Sequence, residues 1–151
     1  MSMGLKEDLK SDLTLSMKAR DAVRSMTIRA LLTAITNEEV AGKEARTLSD
    51  AEIVTVIARE AKKRRESAEA FDAAGSKDRA DAERAEGEII AHYLPAQLSD
   101  DEIKAMIQDA ITQTGASGPS GMGQVMKIIA PKISGRADGG VVSQLVKEAL
   151  A

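Results

Sequence analysis

The stretch SDAEIVTVIAREAKKRRESAEAFDAAG, residues 49–75, decides the fold class. Ser49 and Glu52 have the spacing of a capping box, in which a hydroxyl and a carboxylate satisfy backbone N–H groups at a helix start. Behind that cap, Ile53, Ile57, Ala61, Ala68 and Phe71 form one apolar stripe on a helix turning about 100° per residue. Gly75 stops it.

Working outward gives more of the same. Leu5, Leu9, Leu13 and Met17 fall on one helical face upstream. Asp21 is placed to cap a second helix through its carboxylate, with Ile28, Leu31, Leu32 and Ile35 on its inner face and Ala41-Gly42-Lys43 as its break. A fourth helix is expected over residues 77–93, with Ala82, Ala85, Ile89 and Tyr93 as its stripe and Pro95 beyond its end. Ser99 to Glu102 is a second capping box, followed by Ile103, Met106, Ile107 and Ile111. A Gly/Ser-rich loop over residues 114–121 precedes two more short helices, expected over 122–130 and 139–150, with Ser134-Gly135 between them. The expectation is an all-α protein: about four long helices in residues 1–95 and a three-helix module in residues 96–151.

Composition agrees and excludes several functions. The chain has 151 residues and a net charge of −3, with one Phe, one Tyr and no Trp, so Leu, Ile, Val, Met and Ala must build the core. It has no cysteine, which removes disulfides, thiolate metal sites and a thiol nucleophile. No metal site, cofactor or catalytic residue is expected. A run of about 18 apolar residues is missing, so no membrane span is expected, and the polar N-terminus is unlike a secretory signal. The expected location is the cytoplasm. The mild acidity argues against a generic DNA-binding role.

Charges interrupt the apolar stripes at Arg24, Arg64 and Glu86. Core-facing charges are seldom buried unless paired, so these residues are read as an inter-helix polar network, with a ligand-receiving crevice as the alternative. Arg59, Lys62, Lys63, Arg64 and Arg65 are the densest positive run, but helical geometry spreads them around the axis among Glu60, Glu66 and Glu69. The single histidine, His92, lies at a helix end, where a cap or dipole partner is commoner than a general base. Residues 115–123 have neither a serine-amidase scaffold nor a Gly-Lys-Ser/Thr ending and read as an exposed linker.

Four groups of residues carry a resemblance. They are Lys18, Asp21 and Arg24 with Arg29 and Leu31; Lys62 to Ser67 with Phe71 and Ala74-Gly75; Glu83 and Glu86 leading to Tyr93-Leu94-Pro95 with Gln97-Leu98; and Met122-Gly123 with Val125 to Lys127, Gly135-Arg136, Asp138-Gly139 and Leu145-Val146. Together they resemble the GatB/YqeY family, specifically its free-standing YqeY-like proteins, over residues 5–150. Ser76 departs from the pattern, standing where many relatives have Arg.

The resemblance links the C-terminal module to the tail of the B subunit of tRNA-dependent amidotransferases. Those enzymes are carbon–nitrogen ligases that use glutamine as amide donor. It implies an accessory role beside tRNA, an amidotransferase or an aminoacyl-tRNA synthetase, without catalysis by this chain alone. The alternatives are a ligase component active only in a complex and a protein adaptor without RNA affinity. Lys127, Lys132 and Arg136 are the expected RNA contacts, the bland alternative being an Arg136–Asp138 pair across the turn.

Overall fold

The computed structural model describes residues 4–151. All regular structure among them is helical: α1 (Leu5–Lys18), α2 (Ala22–Glu39), α3 (Asp50–Ala73), α4 (Lys77–Ala91), α5 (Asp100–Thr114), a 3-10 turn (Pro119–Gly121), α6 (Met122–Ile133) and α7 (Gly139–Leu150). The chain divides into two compact units, Met1–Leu94 and Pro95–Ala151.

Local chemistry fixes where the helices of the first unit begin and end. Asp21 accepts a hydrogen bond from the Arg24 N–H at 3.1 Å and starts α2. At α3, Ser49 Oγ accepts the Glu52 N–H at 3.2 Å and Glu52 accepts the Ser49 N–H at 3.1 Å, so both halves of the capping box form. Such a cap contributes about 1 kcal/mol. At the other end Gly75 takes φ +75°, a left-handed conformation that costs a Cβ-bearing residue. There the Ser76 N–H reaches Phe71 O at 2.8 Å and the Gly75 N–H reaches Asp72 O at 3.0 Å, a Schellman ending.

The core of this unit is Leu9, Ile28, Leu31, Ile35, Leu48, Ile53, Val56, Ile57, Ala61 and Ile90. Fully burying each large aliphatic among them is worth roughly 1.5–3 kcal/mol. Side chains close the long-range contacts. Lys6 Nζ donates to Glu39 at 2.7 Å and ties α1 to the end of α2. Tyr93 Oη donates to Asp12 Oδ2 at 2.5 Å and ties the chain after α4 back to α1.

Three expectations about this unit need correction. Ala82 and Ala85 are exposed, and α4 instead buries Ala80 and Ile90, with Glu83 and Glu86 half-buried on the same side. The reason is Arg64 on α3, which attracts both carboxylates, so the inward face of α4 combines charge pairing with the burial of Ala80 and Ile90. Met17 is 51 % exposed, and Arg29 Nη2 donates to its sulfur at 3.4 Å. Phe71 is half-buried, with the Arg79 guanidinium carbon 5.8 Å from its ring centroid.

In the second unit Ile103, Ile107, Ala110, Ala116, Val125, Ile129, Ile133, Val142, Val146 and Leu150 are buried together. Ser99 caps α5 by accepting the Glu102 N–H at 3.2 Å, and Asp138 caps α7 by accepting the Gly140 N–H at 2.8 Å. The sequence places the end of α6 at Ala130, but it runs through Pro131 to Ile133. Ile133 is the next rung of the Val125 and Ile129 stripe, and its burial carries the helix past the missing proline donor.

Candidate functional site

The polar network of the first unit centres on Arg64. Its Nη1 stands 3.3 Å from Glu83 and 3.4 Å from Glu86, and its Nη2 stands 3.7 Å from Glu60. Lys63 reaches the same Glu60 at 3.1 Å. One guanidinium therefore joins α3 to α4 through two carboxylates, with Glu60 of its own helix as a third partner, and its side chain is only 27 % exposed. Arg24 lies apart, paired at 3.4 Å with Asp21 of its own helix start. Of the three charges that interrupt the stripes, two meet and one does not. The cavity beside the network is about 140 Å³ and is lined by Met26, Ala30, Arg64 and Glu86 among others. That is well below the roughly 300–1,000 Å³ of ordinary ligand pockets, so the network reads as a register-fixing joint rather than a binding crevice.

His92 is exposed at the end of α4, with its ring edge-on to Tyr93 at 5.5 Å between centroids and 82° between planes. The Tyr93 phenol is raised above its ordinary range by burial first and by its bond to the Asp12 carboxylate second. Among the described residues no group of three or more His, Asp or Glu side chains is placed to hold a metal ion.

In the second unit the three cations expected at an RNA surface have unlike surroundings. Lys127 and Lys132 are exposed on α6. They lie five positions apart, which is roughly 140° around the helix axis, so they cannot share one narrow stripe. Lys127 points away from the buried Val125–Ile129–Ile133 face, and Lys132 flanks it. Arg136 is half-buried and engaged: its Nε donates to Ala96 O at 3.0 Å, and its carbonyl accepts the Leu98 N–H at 2.9 Å. Gln97 adds a bond from Nε2 to Gly135 O at 2.9 Å. Residues 96–98 are thus clasped to the turn between α6 and α7, and Arg136 is a structural member of that clasp.

Residues 96–98 and 135–136 belong to two separated sequence motifs that the fold brings together. A family model described as YqeY-like protein matches residues 6–150. The chain belongs to the YqeY-like family. It is also similar to two yeast proteins named altered inheritance of mitochondria protein 41, mitochondrial. The one from Lachancea thermotolerans is 34 % identical over 116 residues, covering 75 % of this chain and 61 % of that protein. The one from Clavispora lusitaniae is 33 % identical over 115 residues, covering 75 % and 66 %. The YqeY-like chain thus spans about three-fifths to two-thirds of the length of these relatives. No helix among the described residues is long and apolar enough to cross a membrane.

Sequence reasoning missed Gln97 as a clasp residue and Asp12 as the partner of Tyr93. Gln97 had a signal, its place two residues after Pro95 in a family motif. Asp12 had none, because its partner lies 81 residues away.

Proposed function

We propose that this YqeY-like protein is an accessory factor that engages tRNA through the C-terminal unit and performs no catalysis by itself. The observation that carries the reading is the state of Lys127 and Lys132. Both are solvent-exposed on α6. Exposed lysines on a helix are suited to phosphate contacts that position an RNA without reading its sequence. Their separation around α6 suits a backbone that passes across the helix. The resemblance of this module's sequence motifs to the amidotransferase B-subunit tail supports tRNA as the RNA class.

The test is titration of fluorescently labelled tRNA with the full-length protein at two salt concentrations. Saturable binding that weakens with salt is expected, because each neutralised phosphate releases counterions. The Lys127→Ala, Lys132→Ala double variant should weaken binding and flatten the salt slope. Arg136→Ala belongs in a separate measurement, since removing it opens the clasp. Binding unchanged in the double variant, or no binding at low salt, overturns the proposal.

A further inference from the structure

The turn between α1 and α2, which carries the first of the four sequence motifs, takes no part in that reading. Of the six large apolar side chains left exposed among the described residues, four crowd into residues 15–26: Leu15, Met17, Val23 and Met26, 48–62 % exposed. They sit on the last turn of α1 and the first turns of α2, two helix ends joined by Ala19, Arg20 and Asp21. A buried hydroxyl pair, Ser16 Oγ and Ser25 Oγ at 2.8 Å, pins those ends together, so the surface is preformed.

Charge concentrates at the same place. Residues 15–29 hold Lys18, Arg20, Arg24 and Arg29 against Asp21 alone, a net +3 on a chain of net −3. Asp21 is engaged by Arg24 at 3.4 Å, and Arg29 has an uncharged partner in the Met17 sulfur. Lys18 and Arg20 are exposed and make no ion pair among the described residues. Arg20 also stands at φ +58°, the left-handed position of a Schellman ending. Its N–H reaches Met17 O at 3.1 Å, and the Asp21 N–H reaches Ser16 O at 2.9 Å. Glycine takes that conformation without steric cost, so the arginine places its charge there against the preference of the backbone. Outliers of this kind cluster where a protein binds.

We infer that the α1–α2 turn docks on an anionic lipid surface. Apolar side chains that project from the end of a helix hairpin enter their partner rather than receive it. Leu15, Met17, Val23 and Met26 enter the boundary between headgroups and acyl chains, while Lys18 and Arg20, with Arg29 beside them, take the lipid phosphates. Such a contact lies on the membrane and needs no spanning helix. Surface chemistry selects this occupant over two others. A nucleic acid is gripped by cations and by aromatic stacking, and four aliphatic or thioether groups set among the cations gain nothing against its phosphate backbone. A second copy meeting turn to turn would set +3 against +3.

The experiment is flotation of the full-length protein with vesicles of phosphatidylcholine alone and of phosphatidylcholine mixed with phosphatidylglycerol, at two salt concentrations. Binding to the mixed vesicles that weakens with salt is expected, with little on the neutral ones. Arg20→Gly should weaken it about fivefold, and Lys18→Gln with Arg20→Gly about thirtyfold. Thermal unfolding of Arg20→Gly should stay in place or rise, a combination that a purely structural arginine does not give. Leu15→Ser with Met26→Ser, both at exposed positions, should also lower binding, which separates insertion from charge alone. Several results overturn the inference: no flotation with either vesicle, equal flotation with both, or binding unchanged in folded Arg20→Gly or in the folded serine variant. Loss of tRNA binding in the Lys18 and Arg20 variant, without flotation of the parent, assigns the turn to RNA instead. The Lys127 and Lys132 variant should float as the parent does, so the two proposals fail separately.

Discussion

Tyr93→Phe isolates a single bond that joins residues 81 positions apart. The phenol donates to a carboxylate at 2.5 Å, and such charge-assisted bonds contribute about 1.5–3 kcal/mol when buried. Tyr93 and Asp12 are each half-buried, so solvent screening reduces the expected coupling to about 1–2 kcal/mol. The assay is a double-mutant cycle of Tyr93→Phe and Asp12→Ala, read by urea unfolding followed through helical circular dichroism. Each single variant should lower stability, and the double variant should lose less than their sum.

A pH arm provides a second reading. The folded-state pKa of Tyr93 lies above its unfolded value, so this contribution is complete below the ordinary tyrosine range, near 10. It is then lost as pH rises from that range through the folded-state value. Because the chain has one tyrosine, its phenolate absorbance reports that titration directly. Additive single variants, within about 0.5 kcal/mol, together with an unshifted phenolate titration, would refute the reasoning.

Other outcomes follow from named contacts. Arg64→Ala leaves Glu60, Glu83 and Glu86 facing one another and should cost about 2 kcal/mol, measured by urea unfolding, with Arg64→Lys recovering part of the loss. Gly121→Ala places a Cβ 2.9 Å from the Ala116 Cβ and should destabilise the protein by about 1–3 kcal/mol in thermal unfolding. Arg136→Ala should raise amide hydrogen exchange at Leu98, whose N–H is bonded to the Arg136 carbonyl, by loosening the clasp. Glu39 is held below the usual carboxylate range first by its bond to Lys6, and Glu52 first by its bond to Arg46. Their contribution is present above the ordinary glutamate range and lost as pH falls through the lowered values, so Lys6→Met should flatten the acid limb of the stability profile.

The helices were legible because their signals are local. Ser49, Asp21, Ser99 and Gly75 act within a few residues of themselves, and the Ile and Val stripes repeat along single segments. The inner face of α4 was not legible in the same way. A hydropathy stripe ranks Ala82 and Ala85 above Glu83 and Glu86, and the residue that reverses the ranking, Arg64, sits on another helix. Similarly, Pro131 reads as a stop unless the burial of Ile133 is known. The candidate site divides along the same line. The charges of Lys127 and Lys132 were visible from sequence, whereas the engagement of Arg136 depends on a contact 40 residues away.

That contact also bears on how the second unit can be transplanted. Ala96, Gln97 and Leu98 are bonded to Gly135 and Arg136, and all five residues lie on the same side of the division after Leu94. The entering peptide is therefore anchored by the module's own backbone and side chains. A fold that secures its own doorway keeps its first helix in place however the preceding chain moves locally, so the junction after Leu94 is the place for an inserted linker.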